Sequence, residues 1–229
     1  VPVGKETKYK TLDGRYVERI KFDSMPEATK WVNEYKNVTN FEYFGNTRHQ
    51  YPFIADEFKG KIDWDMNQIK LLTIDIECES ENGFPSPEKA DQPLICITVK
   101  DHTTKRIIVF GMGNFVNDRD DVQYINCVTE TGLVETFTKF WVEYNPDIIT
   151  GWNVKFFDIP YLMNRFRYLM GDEWLNQFSP WGIVEQKSAS VLFASREQQV
   201  WNIMGVDTLD YLDLYRKFTF VRRESYKLD

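Results

Sequence analysis

The chain has 229 residues, 42% of them apolar and 16% aromatic, enough to bury a core and to exclude a disordered tail. No apolar run approaches the roughly 20 residues that a membrane helix needs. Its 28 Lys and Arg face 35 Asp and Glu, and a net charge of −7 excludes a surface that coats duplex DNA all round.

In chain order, residues 8–22 read as a hairpin about Asp13-Gly14, a strong tight-turn pair. Ser24 before Met25-Pro26-Glu27 predicts a helix start with a capping box and a first-turn proline. Ala28, Trp31, Val32 and Tyr35 give that helix one apolar face. Residues 51–68 read as mixed and turn-rich, with a soft boundary near Lys61. The apolar run Ile69–Glu77 predicts a strand with Asp75 and Glu77 at its far end. Gly83, Pro85, Pro87 and Pro93 make residues 79–93 a loop. Leu94–Val99 and Arg106–Phe110 read as strands. Leu133, Val134, Phe137, Phe140, Trp141 and Tyr144 mark an amphipathic helix. Asp147–Thr150 is a short strand ending at Gly151, and a helix runs from about Asp158 to Met170. Residues 183–203 read as extra β hairpins, and Asp207–Phe218 as a strand end followed by a helix. The order suits an α/β layer, a mixed sheet flanked by helices, with a small α+β portion at the start.

Charge sharpens this division. Residues 1–70 hold 12 basic and 11 acidic residues, whereas the remainder holds 16 and 24. From Arg216 to Lys227 five basic residues stand against one Glu. Cys78, Cys96 and Cys127 are odd in number and widely spaced, neither a disulfide frame nor a zinc set, which suits a reducing cytoplasm. The opening residues show no basic segment followed by an apolar stretch, so a secretory signal is not expected. A start at Val1 without Met, and an end at Asp229 without a capping signal, are expected of a piece excised from a longer protein.

Asp75 and Glu77 stand two apart on a strand and so share a face. Two acids there repel each other and lose hydration unless a cation joins them, and a divalent ion with oxygen ligands suits the pair. Acids at strand ends also commonly face plain water, and spacing leaves both readings open. Asp158 begins a helix, where Asp is a favoured N-cap. That explains Asp158 but not Asn153 or the aromatic pair before it.

Asp75-Ile76-Glu77 resembles the first motif of the DEDD-type 3′–5′ exonucleases, and Asn153-x-x-x-Phe157-Asp158 the second. The wording is similar to the T-even-type bacteriophage family-B DNA polymerases. It matches at Gly83-Phe84-Pro85-x-Pro87, at Thr150-Gly151-Trp152-Asn153-Val154 with Phe157-Asp158-Ile159-Pro160-Tyr161, and at Leu209-Asp210-Tyr211-x-Asp213-Leu214-Tyr215-x-Lys217-Phe218. The resemblance assigns residues 1–65 to part of the polymerase N-terminal domain. It assigns 66–229 to most of the exonuclease domain, with a ribonuclease-H-like fold. It implies proofreading: hydrolysis of the terminal phosphodiester with two Mg²⁺ or Mn²⁺ per complete site. Asp75, Glu77 and Asp158 would be catalytic and would hold the metal. Phe84, Asn153 and Phe157 would contact the 3′ end of single-stranded DNA, Phe84 by stacking. Packing is an equal reading for Phe157. Trp152 is expected in the core. Asp207, Asp210 and Asp213 are expected at helix-start and solvent-facing positions. His49 and His102 are expected as surface or packing residues.

The family's third motif, a Tyr-x-x-x-Asp, is not matched. Tyr226-Lys227-Leu228-Asp229 has its Asp three residues after Tyr, so Asp229 does not replace the missing ligand. The 229 residues alone are therefore expected to be weak or inactive. The resemblance implies as partners the rest of the polymerase chain and, through the whole protein, a sliding clamp and RNA, with no membrane. It implies the cytoplasm of a bacterial host as location. Alternative readings are a nucleic-acid-binding module for RNA or single-stranded DNA, and a subunit of a split polymerase.

Overall fold

The Asp13-Gly14 turn joins two short antiparallel strands, β1 (Tyr9–Lys10) and β2 (Tyr16–Val17). Gly14 adopts φ 89°, which a residue with a side chain reaches only with strain. Ser24 then caps α1 (Met25–Tyr35), its side chain accepting from the Glu27 amide at 3.4 Å. The Glu27 carboxylate reaches back to the Asp23 amide at 3.3 Å, completing the box from the neighbouring residue. Trp31 gathers Phe22, Tyr35, Phe41 and Tyr43 around its ring, with centroids 4.8–5.8 Å away. A second helix, α2 (Gln50–Glu57), lies where a turn-rich segment was expected. Its described side chains are all exposed, so it carries no core-facing stripe to reveal it.

The computed structural model describes residues 1–45, 50–81, 83–190, 197–219 and 225–226. They form two units, Val1–Trp64 and Asp65–Asp229. The second is built on a mixed six-stranded sheet. Its strands are β3 (Leu71–Cys78), β4 (Leu94–Asp101), β5 (Ile107–Met112), β6 (Val122–Cys127), β7 (Ile148–Gly151) and β10 (Asp207–Asp210). Their order across the sheet is β10-β7-β3-β4-β5-β6. β7 runs parallel to both β10 and β3, and β4 is antiparallel to β3 and β5. Between β7 and β10 the chain forms α4 (Asp158–Met170) and the hairpin β8 (Val184–Ser190) with β9 (Glu197–Ile203). Helices α3 (Glu130–Tyr144) and α5 (Tyr211–Phe218) complete the unit.

Alternation makes the core. Leu72, Ile74 and Ile76 bury one face of β3, while Asp75 and Glu77 remain exposed on the other. Leu133, Val134, Phe137 and Trp141 recur at helical spacing and bury one side of α3. Phe137 meets Phe110 of β5 edge-on at 5.5 Å and Phe166 of α4 at 6.0 Å, tying both helices to the sheet. Asp158 to Phe166 are all buried, so the first half of α4 is an interior helix.

β6 was not expected. It is a sheet-edge strand with two exposed polar residues and only Cys127 fully buried, so its pattern is faint. The 3₁₀ segment Asp172–Phe178 was not expected either, and it contributes Leu175 and Phe178 to the core. Among the described residues, no helix is long and apolar enough to cross a membrane. His49, the hairpin residues 191–196 and Asp229 lie outside the described residues.

Candidate active site

β7 pairs with β3 only from Leu71 to Thr73, then stops at Gly151. Beyond that point the Ile76 amide of β3 has no partner in β7. Asp158 takes its place: its Oδ1 accepts the Ile76 amide at 3.2 Å, linking residues 82 apart. Asp158 is the first residue of α4, and Phe157 occupies the cap position. The plain N-cap reading of Asp158 therefore fails, because the side chain serves the sheet.

This placement has an electrostatic cost. Asp158 is 4% exposed. Burial, and next the negative charge of Asp75, push its carboxyl up to about 7. Partial desolvation also raises Asp75, although that residue is exposed on the sheet face. Among the described residues, no Lys, Arg or His forms an ion pair with Asp75, Glu77 or Asp158. Glu77 shares the face of Asp75 and directly precedes a break in the β3–β4 register. Such bulges redirect side chains. Among the described residues, no three His, Cys, Asp or Glu side chains converge closely enough to hold a metal. Asp75 and Asp158 are linked as a pair by charge, that of Asp75 raising the buried Asp158 carboxyl. A hard cation fits the pair: the donors are all oxygen, the charge is uncompensated, and Mg²⁺ commonly takes one or two carboxylates with substrate phosphates.

The turn leading into α4 is tightly determined. A Cβ on Gly151 would lie 2.6 Å from the Ile74 carbonyl oxygen, so only glycine fits where the chain leaves the sheet. Asn153 adopts φ 60°, a conformation asparagine tolerates better than most residues. Its carbonyl accepts from the Phe156 and Phe157 amides at 3.1 and 2.9 Å. Phe157 is half-buried, with its ring 5.4 Å from Phe84 and 6.0 Å from Tyr161. The packing reading of Phe157 holds: its ring packs against the core and also meets Phe84. Phe84 is 84% exposed.

The loop carrying Phe84 is pinned by one helix. The Tyr161 hydroxyl donates to the Gln92 carbonyl at 2.6 Å, Asn164 Nδ2 to Pro87 O at 2.8 Å, and Arg165 Nη1 to Ala90 O at 3.0 Å. Arg165 also forms a buried ion pair with Glu130 at 2.6 Å, and Glu130 accepts the Leu94 amide at 2.7 Å. Thus α4 delivers Asp158 at its start and fixes the Phe84 loop along its side. These four polar residues were not singled out from the sequence. The available signal was Arg165 three residues after Leu162, at helical spacing on the side of α4 that carries Leu162, Phe166 and Leu169.

Two other expectations are corrected. Trp152 is half-buried beside Tyr211 and Tyr215, with its Nε1 donating to Tyr226 O at 2.8 Å; it is not a core residue. Asp210 starts α5 as expected but is buried rather than solvent-facing, because its carboxylate accepts backbone amides. Asp207 is exposed and Asp213 half-buried. His102 shares a 2.7 Å hydrogen bond with Thr73 and pairs with none of the site carboxylates.

Residues 24–229 match the family described as DNA polymerase family B, exonuclease domain. The DNA-directed DNA polymerase of Escherichia phage RB69 is 30% identical over 253 residues, which cover 100% of this chain and 28% of that protein. The corresponding protein of Enterobacteria phage T4 is 30% identical, covering 98% of this chain and 27% of its own length. The DNA polymerase delta catalytic subunit of Caenorhabditis elegans is 34% identical over 171 residues, or 70% of this chain and 15% of that protein. The chain thus spans under a third of the length of these curated relatives. With its mixed six-stranded sheet and this match over most of its length, the chain belongs to the exonuclease domain of the family B DNA polymerases.

Proposed function

We propose that the chain carries the proofreading 3′–5′ exonuclease of a DNA polymerase, cleaving the terminal phosphodiester of a single strand. The Asp75–Asp158 pair carries this reading. Two carboxylates, one of them deeply buried, lie close enough to interact and have no basic partner among the described residues. A hard cation would relieve that charge.

In this reading Asp75, Glu77 and Asp158 would hold the metal and serve as the catalytic carboxylates. Two bound Mg²⁺ or Mn²⁺ would supply an activated water and stabilise charge on the attacking and leaving oxygens. Water attacks phosphorus, the bond to the 3′ oxygen breaks, and the shortened strand leaves with a 3′ hydroxyl. Phe84 stacks on a base at the 3′ end, gripping it without reading sequence, and Phe157 contacts the terminal nucleotide. Asn153 contacts the terminal nucleotide. The unit Val1–Trp64 belongs to the polymerase's N-terminal domain, and the rest of that polymerase and its DNA are the partners.

The 229 residues assayed alone are expected to turn over slowly, because three carboxylates do not complete a concerted site. A 3′-labelled single strand, followed over time with Mg²⁺ or Mn²⁺ and the protein in excess, tests both statements. Slow metal-dependent loss of the label, abolished by Asp75→Ala with Glu77→Ala, is the expected result. Cleavage that survives the double substitution would refute the site. Cleavage at ordinary exonuclease rates would refute the slow turnover.

A further inference from the structure

We propose that Asp210 is a positioning residue for cleavage, acting through the backbone of the Gly151–Phe157 turn. The proposal rests on the reading of Asp75 and Asp158 as the cleavage site. Asp210 ends β10 and stands opposite Gly151, the last residue of β7. Its carboxylate is 7% exposed and accepts three amides. Oδ1 takes Leu212 at 2.9 Å and Asn153 at 3.1 Å, and Oδ2 takes Lys155 at 3.0 Å. The bond to Leu212 caps α5, a task that Ser or Asn performs as well. The other two reach back 57 and 55 residues into the turn.

Those two amides flank the bend through which the chain enters α4. Asn153, held by its amide, closes its carbonyl on Phe156 and Phe157, and Asp158 follows directly. Because β10 is bonded to β7 and β7 to β3, Asp210 ties the turn to the sheet that bears Asp75. A buried carboxylate without an ion pair is costly unless amides satisfy it. Here they do, and they set the position of Asp158 relative to Asp75. Displacements of about 1 Å at such sites cost about 100-fold in rate.

The test is Mn²⁺ binding to the 229-residue chain, followed by electron paramagnetic resonance of the free ion. Asp210→Ala is expected to weaken binding roughly tenfold, as loss of a support to ligands commonly does. Asp210→Asn keeps one acceptor oxygen and should fall between Asp210→Ala and the parent. Leu212→Ala removes a buried α5 side chain but keeps all three backbone bonds to Asp210, and should bind like the parent. Asp158→Ala should lose the site. Parent-like affinity in Asp210→Ala, with loss in Asp158→Ala, would overturn the positioning role alone. Equal weakening in Leu212→Ala would overturn it too, by assigning the effect to general loosening. Parent-like affinity in Asp158→Ala would remove the cleavage site itself and this inference with it. If Asp210→Ala shows no cooperative melt, Asp210→Asn decides, and an unchanged affinity there overturns the proposal.

Discussion

The two ends of the buried stretch of α4 treat charge in opposite ways. At the first residue, Asp158 is buried beside Asp75 with no basic partner among the described residues. Two turns later, Arg165 is equally buried, but Glu130 neutralises it and the Ala90 carbonyl accepts a further hydrogen bond from it. The second arrangement is complete and holds the Phe84 loop in place. The first is complete only in its single hydrogen bond to Ile76. A fold that pairs one buried charge and leaves another unpaired on the same helix separates architecture from chemistry. The unpaired acid marks where a cation has a reason to bind.

This contrast can be broken from both sides. Arg165→Ala leaves the largely buried Glu130 charge without its ion-pair partner, and is expected to cost about 3–5 kcal/mol in urea unfolding. A loss below about 1 kcal/mol, as for surface pairs, would erase the distinction between the two ends. Asp158 has the opposite sign. Its folded carboxyl, near 7, lies above the ordinary 3.8, so the folded state binds the proton more tightly. Its contribution to stability is therefore greatest in acid and falls as pH rises from about 4 to about 7. By the size of the shift the loss is on the order of 4 kcal/mol. Asp158→Asn does not titrate, so its stability advantage over the parent should grow across that window and then level off. A constant difference would show that Asp158 is not perturbed. Tyr161→Phe removes the donor to the Gln92 carbonyl and should cost about 1–2 kcal/mol, less than Arg165→Ala. Arg119→Ala breaks an exposed pair with Asp121 and should leave the urea midpoint unchanged, the baseline for the other substitutions.

Much of the fold was legible because its signals are local. The Ser24 box, the apolar spacing from Leu133 to Tyr144 and the loop prolines each act over a few residues. The helix at Asp158 began and ended where expected. What escaped was weakly patterned or long-range. β6 is a half-exposed edge strand, and α2 has no buried stripe. The site divides the same way. Asp75 and Glu77 were readable as neighbours on one face, and Asp158 through its motif. The partners that fix them are distant in sequence: Ile76 with Asp158, Glu130 with Arg165, Asn153 with Asp210. Asp210 misled for a physical reason. An Asp before a helix looks like a solvated cap, and nothing local reveals that two further amides enclose it.

In the proposed cation site, the charge of Asp158 and Asp75 is unrelieved without metal. The most direct test is thermal melting near pH 8 of the parent and of Asp158→Asn, each with and without excess Mg²⁺. Asp158→Asn is expected to melt higher than the metal-free parent, and Mg²⁺ to raise the melting temperature of the parent but not of the variant. Equal Mg²⁺ shifts in both proteins, or a variant no more stable than the metal-free parent, would contradict the proposed site.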